Sequence, residues 1–449
     1  MNLTDKIYNT TLEYIILPLG DIFFHQNLMK RLRLLREAQW WDRNKIEKYQ
    51  RIQLSNLVKT SFSEVPFYKD YYASNGITYD DIKTLQDIEK LPITNKKIFR
   101  EAELKNTVRK TGLKTYKAST SGSTGENFVV VEDNATAGFY RASFMLALEW
   151  AGYKIGQRHL QTGMTLNRSL DRKIKDFLLR CDYISAYNLC DENLEIMLDR
   201  LLRKNIKNLW GYPGSIYYLA KRAEQSKLNI SLNSIVTWGD VLYSGYREII
   251  EKVFSVQVFD TYGCAEGIQI AAQCGSGSHY HIHELDTIVE LLDEEGYPVG
   301  KGETGNVVVT RLFPGPMPLI RYAIGDKATW SSEETCECGR KLKLLERIDG
   351  RSADEIITPS GNRLILHFFT GILEFFKEIE SFQVIQESMS SITLNIVSTS
   401  KESLPVSRII SALKDKGADM EIKINVVENI PIEQTGKRKF IINKLIPQK

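Results

Sequence analysis

The sequence predicts an α/β protein with a large N-terminal region of mixed sheets and a small α+β domain after it. Segments typical of strands and helices alternate between residues 158 and 259, as in substantially parallel sheets. The chain then becomes rich in β-strand residues from about 281 to 312, around Gly-containing turns. The composition changes again after Gly350, so we expect one domain over residues 1–349 and another over 350–449.

Length and composition exclude several classes of protein. A chain of 449 residues is too long for one ordinary core. The formal net charge is only +3, and no basic tract is interleaved with aromatics, so we expect no nucleic-acid partner. We find no apolar run of the ~18–20 residues that a membrane span requires and no signal-peptide pattern. Six cysteines do not make a disulfide scaffold in so long a chain, and we expect a cytoplasmic protein.

Two helices are predicted before residue 61, over Leu28–Gln39 and Asn44–Thr60. The first is basic and amphipathic, with Lys30, Arg31 and Arg33 beside leucines. Such a helix either docks on the core with a solvated face or lies on a membrane surface, and both interpretations stay open.

The remaining elements follow from periodicity and from turn residues. A long helix is predicted over Ala135–Trp150, and one continuous strand over His281–Leu292. The alternating segments are Arg158–Thr162, Leu170–Leu179, Asn193–Arg203, Ser215–Gln225, Ser234–Trp238, Tyr246–Phe254 and Val256–Phe259. After residue 350, strands are predicted at Glu355–Thr358, Phe382–Gln386, Ile392–Val397 and Ile422–Val427, with helices near 366–378 and 404–417.

A Ser/Gly-rich stretch from Ser119 to Glu126 is the main candidate for a functional loop. Glycines let a backbone turn its N–H groups inward, and hydroxyls add donors, so such a loop can wrap a phosphate chain. In a Walker-type P-loop a lysine follows the second glycine, but this stretch has Glu126 there. A solvated turn is the alternative interpretation of this stretch alone.

Five spaced motifs together resemble a known family. They are STSGSTGE (119–126), YGCAEG (262–267), IRYAIGD (320–326), RIDGRSADEI (347–356) and TGKRKF (435–440). Their order resembles the adenylate-forming superfamily, whose members convert ATP and a carboxylic acid into an acyl-adenylate and pyrophosphate. LREAQWW (35–41), VPFY (65–68) and LPITNKK (91–97) resemble the branch that contains phenylacetate–CoA ligase and the CapK-type proteins.

The resemblance implies an N-terminal adenylation domain, a small mobile C-terminal lid, and ATP with Mg²⁺ as cofactors. Attack of a carboxylate on the α-phosphorus adds negative charge to an anionic phosphate, so catalysis needs donors, a divalent metal and a cation. By the resemblance, the phosphate-binding residues are Ser119, Thr120, Ser121, Gly122, Ser123, Thr124 and Gly125, and Thr124 is also assigned a catalytic role.

Two charged residues carry the other catalytic roles that the resemblance implies. Glu266 corresponds to the family's acidic residue that helps to hold Mg²⁺, with a helix cap as its alternative role. Lys437 corresponds to the catalytic lysine of the lid, with a solvated basic tail as the alternative. We expect Lys437→Ala to abolish adenylation and to spare ATP binding.

Further residues are implied to bind the nucleotide. Asp326 matches the aspartate that accepts hydrogen bonds from the ribose, and Arg351 matches an arginine that contacts ribose or phosphate. The implied adenine and base-pocket residues are Gly239, Asp240, Tyr262 and Gly263. Ala353 departs from the family, which usually has an acidic residue there, so the lid rotation for the second half-reaction is in question.

The acid pocket is expected to include Tyr212, in the loop near residues 210–214, and Trp238, at the end of a predicted strand. Their aromatic rings suit an aryl acid or a sugar ring. Plain core packing explains them equally well.

Three cysteines and one histidine form a possible zinc set. Cys336 and Cys338 are separated by one residue, and Cys274 lies a short turn before His281. Three thiolates and an imidazole complete a tetrahedral Zn²⁺ site without an open position, so the expected role is structural. The phenylacetate–CoA ligase branch carries a similar arrangement. His279 and His283 are alternatives to His281 as the ligand, and four unliganded residues are the alternative to a site.

These expectations define an AMP-forming acid ligase. Its acceptor is either the thiol of coenzyme A or an amine, in aryl-acid metabolism or in capsule or O-antigen synthesis. The alternative is a non-catalytic protein of the same fold that acts as a binding or membrane-associated assembly factor.

Overall fold

The computed structural model describes residues 3–120, 128–163, 168–185, 191–351, 355–360, 363–365, 369, 372–373, 376, 378–398, 404–431 and 439–445. The chain forms two compact units. The first draws on residues 1–120, 127–242 and 249–348, and the second on residues 243–248 and 349–449 together with a short loop segment.

Helices occupy most of the first hundred residues and alternate with strands thereafter. Their bounds are α1 Leu3–Thr11, α2 Leu17–Phe24, α3 Leu28–Ala38, α4 Arg43–Glu64, α5 Pro66–Ser74, α6 Lys96–Glu101, α7 Asn134–Trp150, α8 Leu170–Leu178, α9 Asp191–Arg203, α10 Pro213–Gln225 and α11 Ser244–Phe254. A π-helical turn, Leu12–Ile16, joins α1 to α2. The Asp42 carboxylate caps α4 and the Asp133 carboxylate caps α7, each by accepting a backbone N–H from the first turn.

A sheet of 11 strands organises the first unit. Its parallel half contains β3 His159–Gly163, β4 Cys181–Ser185, β5 Asn208–Gly211, β6 Ser234–Thr237 and β7 Val258–Cys264. This half confirms the predicted alternation of strands and helices, and it adds β4 and β5, which were not among the predicted segments. A separate antiparallel hairpin, β1 Thr115–Thr120 and β2 Phe128–Asp133, precedes it in the chain.

The other half of the sheet contains antiparallel pairs. Its strands are β8 Ile268–Gln273, β9 Tyr280–Ile282, β10 Thr287–Leu292, β11 Thr304–Arg311, β12 Tyr322–Trp330 and β13 Leu344–Arg351. Across the whole sheet the strand order is β10-β11-β12-β13-β9-β8-β7-β6-β5-β3-β4. The prediction of one strand over His281–Leu292 is wrong, because a turn at residues 283–286 separates β9 from β10. In that turn, the N–H groups of Asp286 and Thr287 both donate to the carbonyl of His283.

The second unit has its own sheet and core. Its strands are β14 Glu355–Ile357, β15 Arg363–Ile365, β16 Ile379–Ser388, β17 Ser391–Ser398, β18 Glu421–Val426 and β19 Ile441–Asn443, with a helix at Val406–Asp415. The main sheet has the order β18-β17-β16-β19. Apolar residues that alternate along the strands pack against Ile409 and Leu413 of the helix, as expected for an α+β domain. The predicted helix near 366–378 lies largely outside the described residues.

The basic helix α3 docks on the first unit. Leu32 and Leu35 are buried in a core cluster, and Arg31 is 5% exposed. Arg31 pairs with Asp286, and Arg36 Nε donates to Glu149 Oε2 over 2.9 Å. Because these arginines point into the protein, the structure favours the docked interpretation of this helix over the membrane-surface one.

Candidate active site and cysteine–histidine cluster

Glu266 lies in the tight turn between β7 and β8 and is 3% exposed. The Tyr322 hydroxyl donates to its Oε1 over 2.9 Å, and the Lys96 ammonium lies 3.1 Å from the same oxygen. The turn joins two strands, so Glu266 does not cap a helix. Gly267, the next residue, has φ +76°, a conformation that glycine adopts without strain.

The surroundings of Glu266 favour its ionised form. Burial raises the pKa of this carboxyl. The charge of Lys96 and the hydrogen bonds from Tyr322 and Lys96 lower the pKa by more than burial raises it, so the pKa of Glu266 lies below its ordinary value. The site therefore offers an anionic oxygen in a largely dry environment. Such an oxygen is the type of ligand that Mg²⁺ prefers.

Lys96 is held in place by the segment LPITNKK. The backbone of Thr94 pairs with the start of β12, next to Tyr322. Its N–H donates to Arg321 O and its carbonyl accepts from Ala323 N, both over 2.8 Å. Asn95 then caps α6, with its side chain accepting from Ile98 N. Sequence reasoning used this segment only for the resemblance and assigned Lys96 no role. The signal that could have identified Lys96 is its place at the start of a short helix, within a motif that resembles the family.

Arg311 supports the same turn from behind. Its Nη1 donates to the Glu266 carbonyl over 3.3 Å and to Glu132 Oε1 over 3.2 Å, and its Nη2 donates to Met317 O over 2.7 Å. A Cβ at Gly267 would lie 2.0 Å from Glu132 Oε1, so the turn and this buried ion pair fit closely together. The turn that carries Glu266 is thereby fixed to β2 and β11.

Asp326 lies four residues after Tyr322 on β12 and is half-buried. The Tyr262 hydroxyl donates to Asp326 Oδ2 over 2.9 Å. Gly325 has φ +87° at this irregular part of the strand, which explains the glycine of IRYAIGD. Strand β12 thus carries both Tyr322, which bonds the predicted magnesium ligand Glu266, and Asp326, the predicted ribose-binding residue, which Tyr262 of the predicted adenine site contacts.

Arg321 of the same motif has a structural role. It is buried and makes a bidentate pair with Glu290, with Nη2 to Oε1 at 2.7 Å. Its Nη1 also donates to the carbonyls of Glu89 and Leu91. These bonds tie the sheet to the segment that carries Lys96.

The predicted base and acid pockets share one edge of the parallel half-sheet. Gly239 has φ +75°, and a Cβ there would lie 2.8 Å from Cε1 of Tyr212, so the Tyr212 ring packs on this backbone. Asp240 and Gly263 are exposed. Trp238 is half-buried, and its ring meets that of Phe144 edge-on at 5.4 Å. The structure thus brings Tyr212 to the Gly239 loop, while Trp238 also serves core packing.

The four predicted zinc ligands form one cluster. The His281 Nε2 atom lies 3.3 Å from Cys274 Sγ and 3.4 Å from Cys338 Sγ, and Cys274 Sγ lies 3.6 Å from Cys336 Sγ. All four ligand atoms lie within 4.8 Å of one another. Bonds of about 2.3 Å to sulfur and about 2.0–2.1 Å to nitrogen give tetrahedral edges of roughly 3.5–3.8 Å. The geometry therefore fits a tetrahedral ion such as Zn²⁺.

The two alternative histidines point elsewhere. His279 Nε2 lies 2.9 Å from Glu346 Oε2, and His283 stacks on Trp150 with ring centroids 5.3 Å apart. Among the described residues, the group of closely spaced metal-ligand atoms contains His281 and neither of its two neighbours. His281 is the histidine of the cluster.

Several predicted site residues lie outside the described residues. These are Lys437 and the loop residues Ser121, Gly122, Ser123, Thr124 and Gly125, and also Ala353. Ser119 and Thr120 end β1, and Arg351 ends β13, where the structure describes the backbone and not these side chains. Their predicted roles stay predictions.

The large mixed sheet with a separate small sheet domain is the fold of the adenylate-forming ligases. The structure of 2-hydroxyisobutyryl-CoA ligase in the postadenylation state, in complex with 2-HIB-AMP, matches it with a TM-score of 0.75, 16% identity and coverage of 91% of both chains. The amide bond synthetase McbA from Marinactinospora thermotolerans matches with a TM-score of 0.53 and 16% identity over 72% of this chain and 67% of that one.

Sequence comparison indicates the branch. Protein CapK of Staphylococcus aureus is 24% identical over 443 residues, which cover 95% of each chain. The phenylacetate-coenzyme A ligase of Thermus thermophilus is 23% identical over 344 residues, 73% of this chain and 75% of that protein. A family model described as the CapK C-terminal domain matches residues 356–444. The predicted resemblance to the adenylate-forming superfamily, in its phenylacetate–CoA ligase and CapK-like branch, is confirmed.

Proposed function

We propose that this protein is an AMP-forming ligase, which activates a carboxylic acid with ATP as an acyl-adenylate and transfers the acyl group to an acceptor. The observation that carries the proposal is the buried, ionised Glu266, held by Lys96 and Tyr322 on the strand that also positions the Tyr262–Asp326 pair. The relatives named above include CoA ligases and an amide bond synthetase.

Each residue has a defined task in this proposal. Glu266 would hold Mg²⁺, which offsets the negative charge of the triphosphate when bound. Asp326, oriented by Tyr262, would accept hydrogen bonds from the ribose hydroxyls. Tyr212 and the Gly239–Asp240 loop would line the pocket for the base and the acid, with Trp238 beside them. The Ser/Gly loop and Lys437 would contact the phosphates.

The acceptor is a thiol or an amine, and each has support. The 2-hydroxyisobutyryl-CoA ligase has been solved with 2-HIB-AMP and CoA, whereas McbA makes amide bonds. The two pairings that we propose to test are coenzyme A in aryl-acid metabolism, and an amine on a sugar or amino acid in capsule or O-antigen synthesis. Incubation of the preformed acyl-adenylate complex with coenzyme A or with a panel of amines distinguishes them by the product formed.

Exchange of pyrophosphate into ATP tests the first half-reaction without knowledge of the acceptor. The panel contains aryl acids, amino acids and sugar uronic acids, each with Mg²⁺. We expect exchange with one class of acid and none without acid. Tight ATP binding without exchange across the panel would favour the alternative, a non-catalytic assembly factor of the same fold.

We also propose that Cys274, His281, Cys336 and Cys338 hold a structural Zn²⁺. Four protein ligands leave no open position, so the ion would stabilise the fold near the end of the first unit. Reduced thiols and the use of ATP both fit a cytoplasmic location. The purified protein should contain about one equivalent of zinc, Cys338→Ser should lose it, and Cys181→Ser, outside the cluster, should keep it. Less than half an equivalent in the unmodified protein would contradict the proposal.

A further inference from the structure

Helix α8 presents an apolar stripe to solvent. Leu170, Ile174 and Phe177 follow the spacing i, i+4, i+7, so they share one face, and they are 78%, 61% and 80% exposed. Lys173 borders this face of the helix and is also exposed. A short helix with phenylalanine and leucine on one face and a lysine beside them is typical of segments that lie in a membrane interface.

The N-terminal helical segment exposes a second apolar group. Leu19, Ile22 and Phe23 of α2, at i, i+3 and i+4, are 57%, 72% and 84% exposed, and Phe24 is 59% exposed. Single exposed apolar residues are ordinary on a soluble protein, but groups of this kind mark an interaction surface.

The two segments contact each other. The Tyr8 hydroxyl donates to the carbonyl of Leu178 over 2.8 Å, and Arg180 pairs with Asp5 at 2.7 Å. The Arg180 guanidinium also lies 3.8 Å from the centre of the Tyr8 ring. Asp5 and Tyr8 lie on α1, which the π-helical turn joins to α2, so the N-terminal helical segment meets α8 through α1. The exposed apolar residues of α2 and α8 together are called the apolar surface below.

The charges around the apolar surface are predominantly basic. On α8, Asp176 pairs with Arg168, and the helix also carries Asp171, Arg172, Lys173 and Lys175. On α2, the Asp21 carboxylate accepts the backbone N–H of Leu28 over 3.0 Å and caps α3. Exposed Lys30 and Arg33 follow on α3.

We propose that the apolar surface attaches this protein peripherally to an anionic lipid bilayer. Leu170, Ile174, Phe177 and the α2 side chains would enter the acyl boundary, while Lys173 would meet acidic head groups. Among the described residues, no helix is long and apolar enough to cross a bilayer. The basic charge favours a lipid surface with negative charge over a neutral one.

The test is flotation of the full chain with vesicles of phosphatidylcholine containing phosphatidylglycerol, and with vesicles of pure phosphatidylcholine. We expect binding to the anionic vesicles that falls when salt is added, and at most weak binding to the neutral ones. Ile174→Ser/Phe177→Ser should reduce anionic binding at least tenfold, and Lys173→Glu should reduce it several-fold. Tyr297→Ser, which changes a side chain that is 68% exposed away from the apolar surface, is the matched control and should bind normally.

Three results would overturn the proposal. The first is no binding of the unmodified protein to anionic vesicles. The second is equal binding by the Ile174→Ser/Phe177→Ser variant and the Tyr297→Ser control. The third is a dimer in sedimentation velocity that this double variant abolishes, because the surface would then be an interface between two copies. Secondary structure and ATP binding measured on each variant separate a loss of lipid binding from a loss of folding.

Discussion

Two ion pairs in the first unit differ in how much of the basic side chain is exposed to solvent. The side chains of Arg31 and Asp286 are 5% and 7% exposed, and the guanidinium also donates to Tyr49 and to Leu285 O, so the protein surrounds this pair. In the second pair, Glu266 is 4% exposed but Lys96 is 19% exposed. The first pair fastens α3 to the sheet. The second keeps a cation within reach of solvent, and we infer that a ligand can replace the carboxylate as its partner.

The largest effect on stability is expected at the enclosed pair. Asp286→Asn removes the charge that compensates Arg31, and an uncompensated buried charge costs about 3–5 kcal/mol. Asp80→Asn, at an exposed position, should change the free energy of unfolding by less than about 0.5 kcal/mol. Urea unfolding of both variants measures the difference. A loss of less than about 1 kcal/mol in the free energy of unfolding of Asp286→Asn would contradict the interpretation that this pair fastens α3 to the sheet.

The next effect is expected on activity at the second pair. Lys96→Met should lower ATP–pyrophosphate exchange by about ten- to hundredfold, since Glu266 loses the cation that orients it. Lys97→Met is the matched control, because Lys97 is 79% exposed and only pairs along its own helix with Glu101. Its exchange rate should stay within about twofold of the unmodified protein. Equal losses in both variants would show that Lys96 has no special role.

A smaller effect is expected at the neighbouring pair, which joins Tyr262 of β7 to Asp326 of β12. Tyr262→Phe removes the hydroxyl that orients Asp326 and should raise KM for ATP by about three- to tenfold, with a smaller change in kcat. Tyr297→Phe, at an exposed tyrosine, should leave both parameters unchanged. A fall in kcat at constant KM would instead place Tyr262 in the chemical step.

The α/β fold was predictable from sequence because burial dictates periodicity. The helix over Ala135–Trp150 and the four strands predicted after residue 350 match the structure closely. The short strands β4, β5, β15 and β19 were not predicted, because three to five residues are too few to show a period. The turn between β9 and β10 was missed because the apolar pattern continues through it: Leu285 is buried in the turn as if it were part of a strand. Local pattern does not reveal where a buried chain reverses.

The site shows the same division between local and tertiary information. Spacing left His279, His281 and His283 open, and only tertiary packing on Glu346 and Trp150 separates them. Helices α3 and α8 are both basic and amphipathic, yet only α3 has its leucines covered. The sequence singled out α3 for membrane contact, whereas the structure exposes α8. Lys96 was missed because its partner Glu266 is far away in sequence.

The central claim is that the Glu266 turn is the reaction centre, and the most direct test is the exchange rate of Glu266→Gln. This change keeps the shape of the side chain and removes its charge. Exchange with the preferred acid should fall at least a hundredfold, while urea unfolding on the same sample shows a folded protein. Exchange within threefold of the unmodified protein would contradict the assignment of Glu266 and, with it, the proposed chemistry of this site.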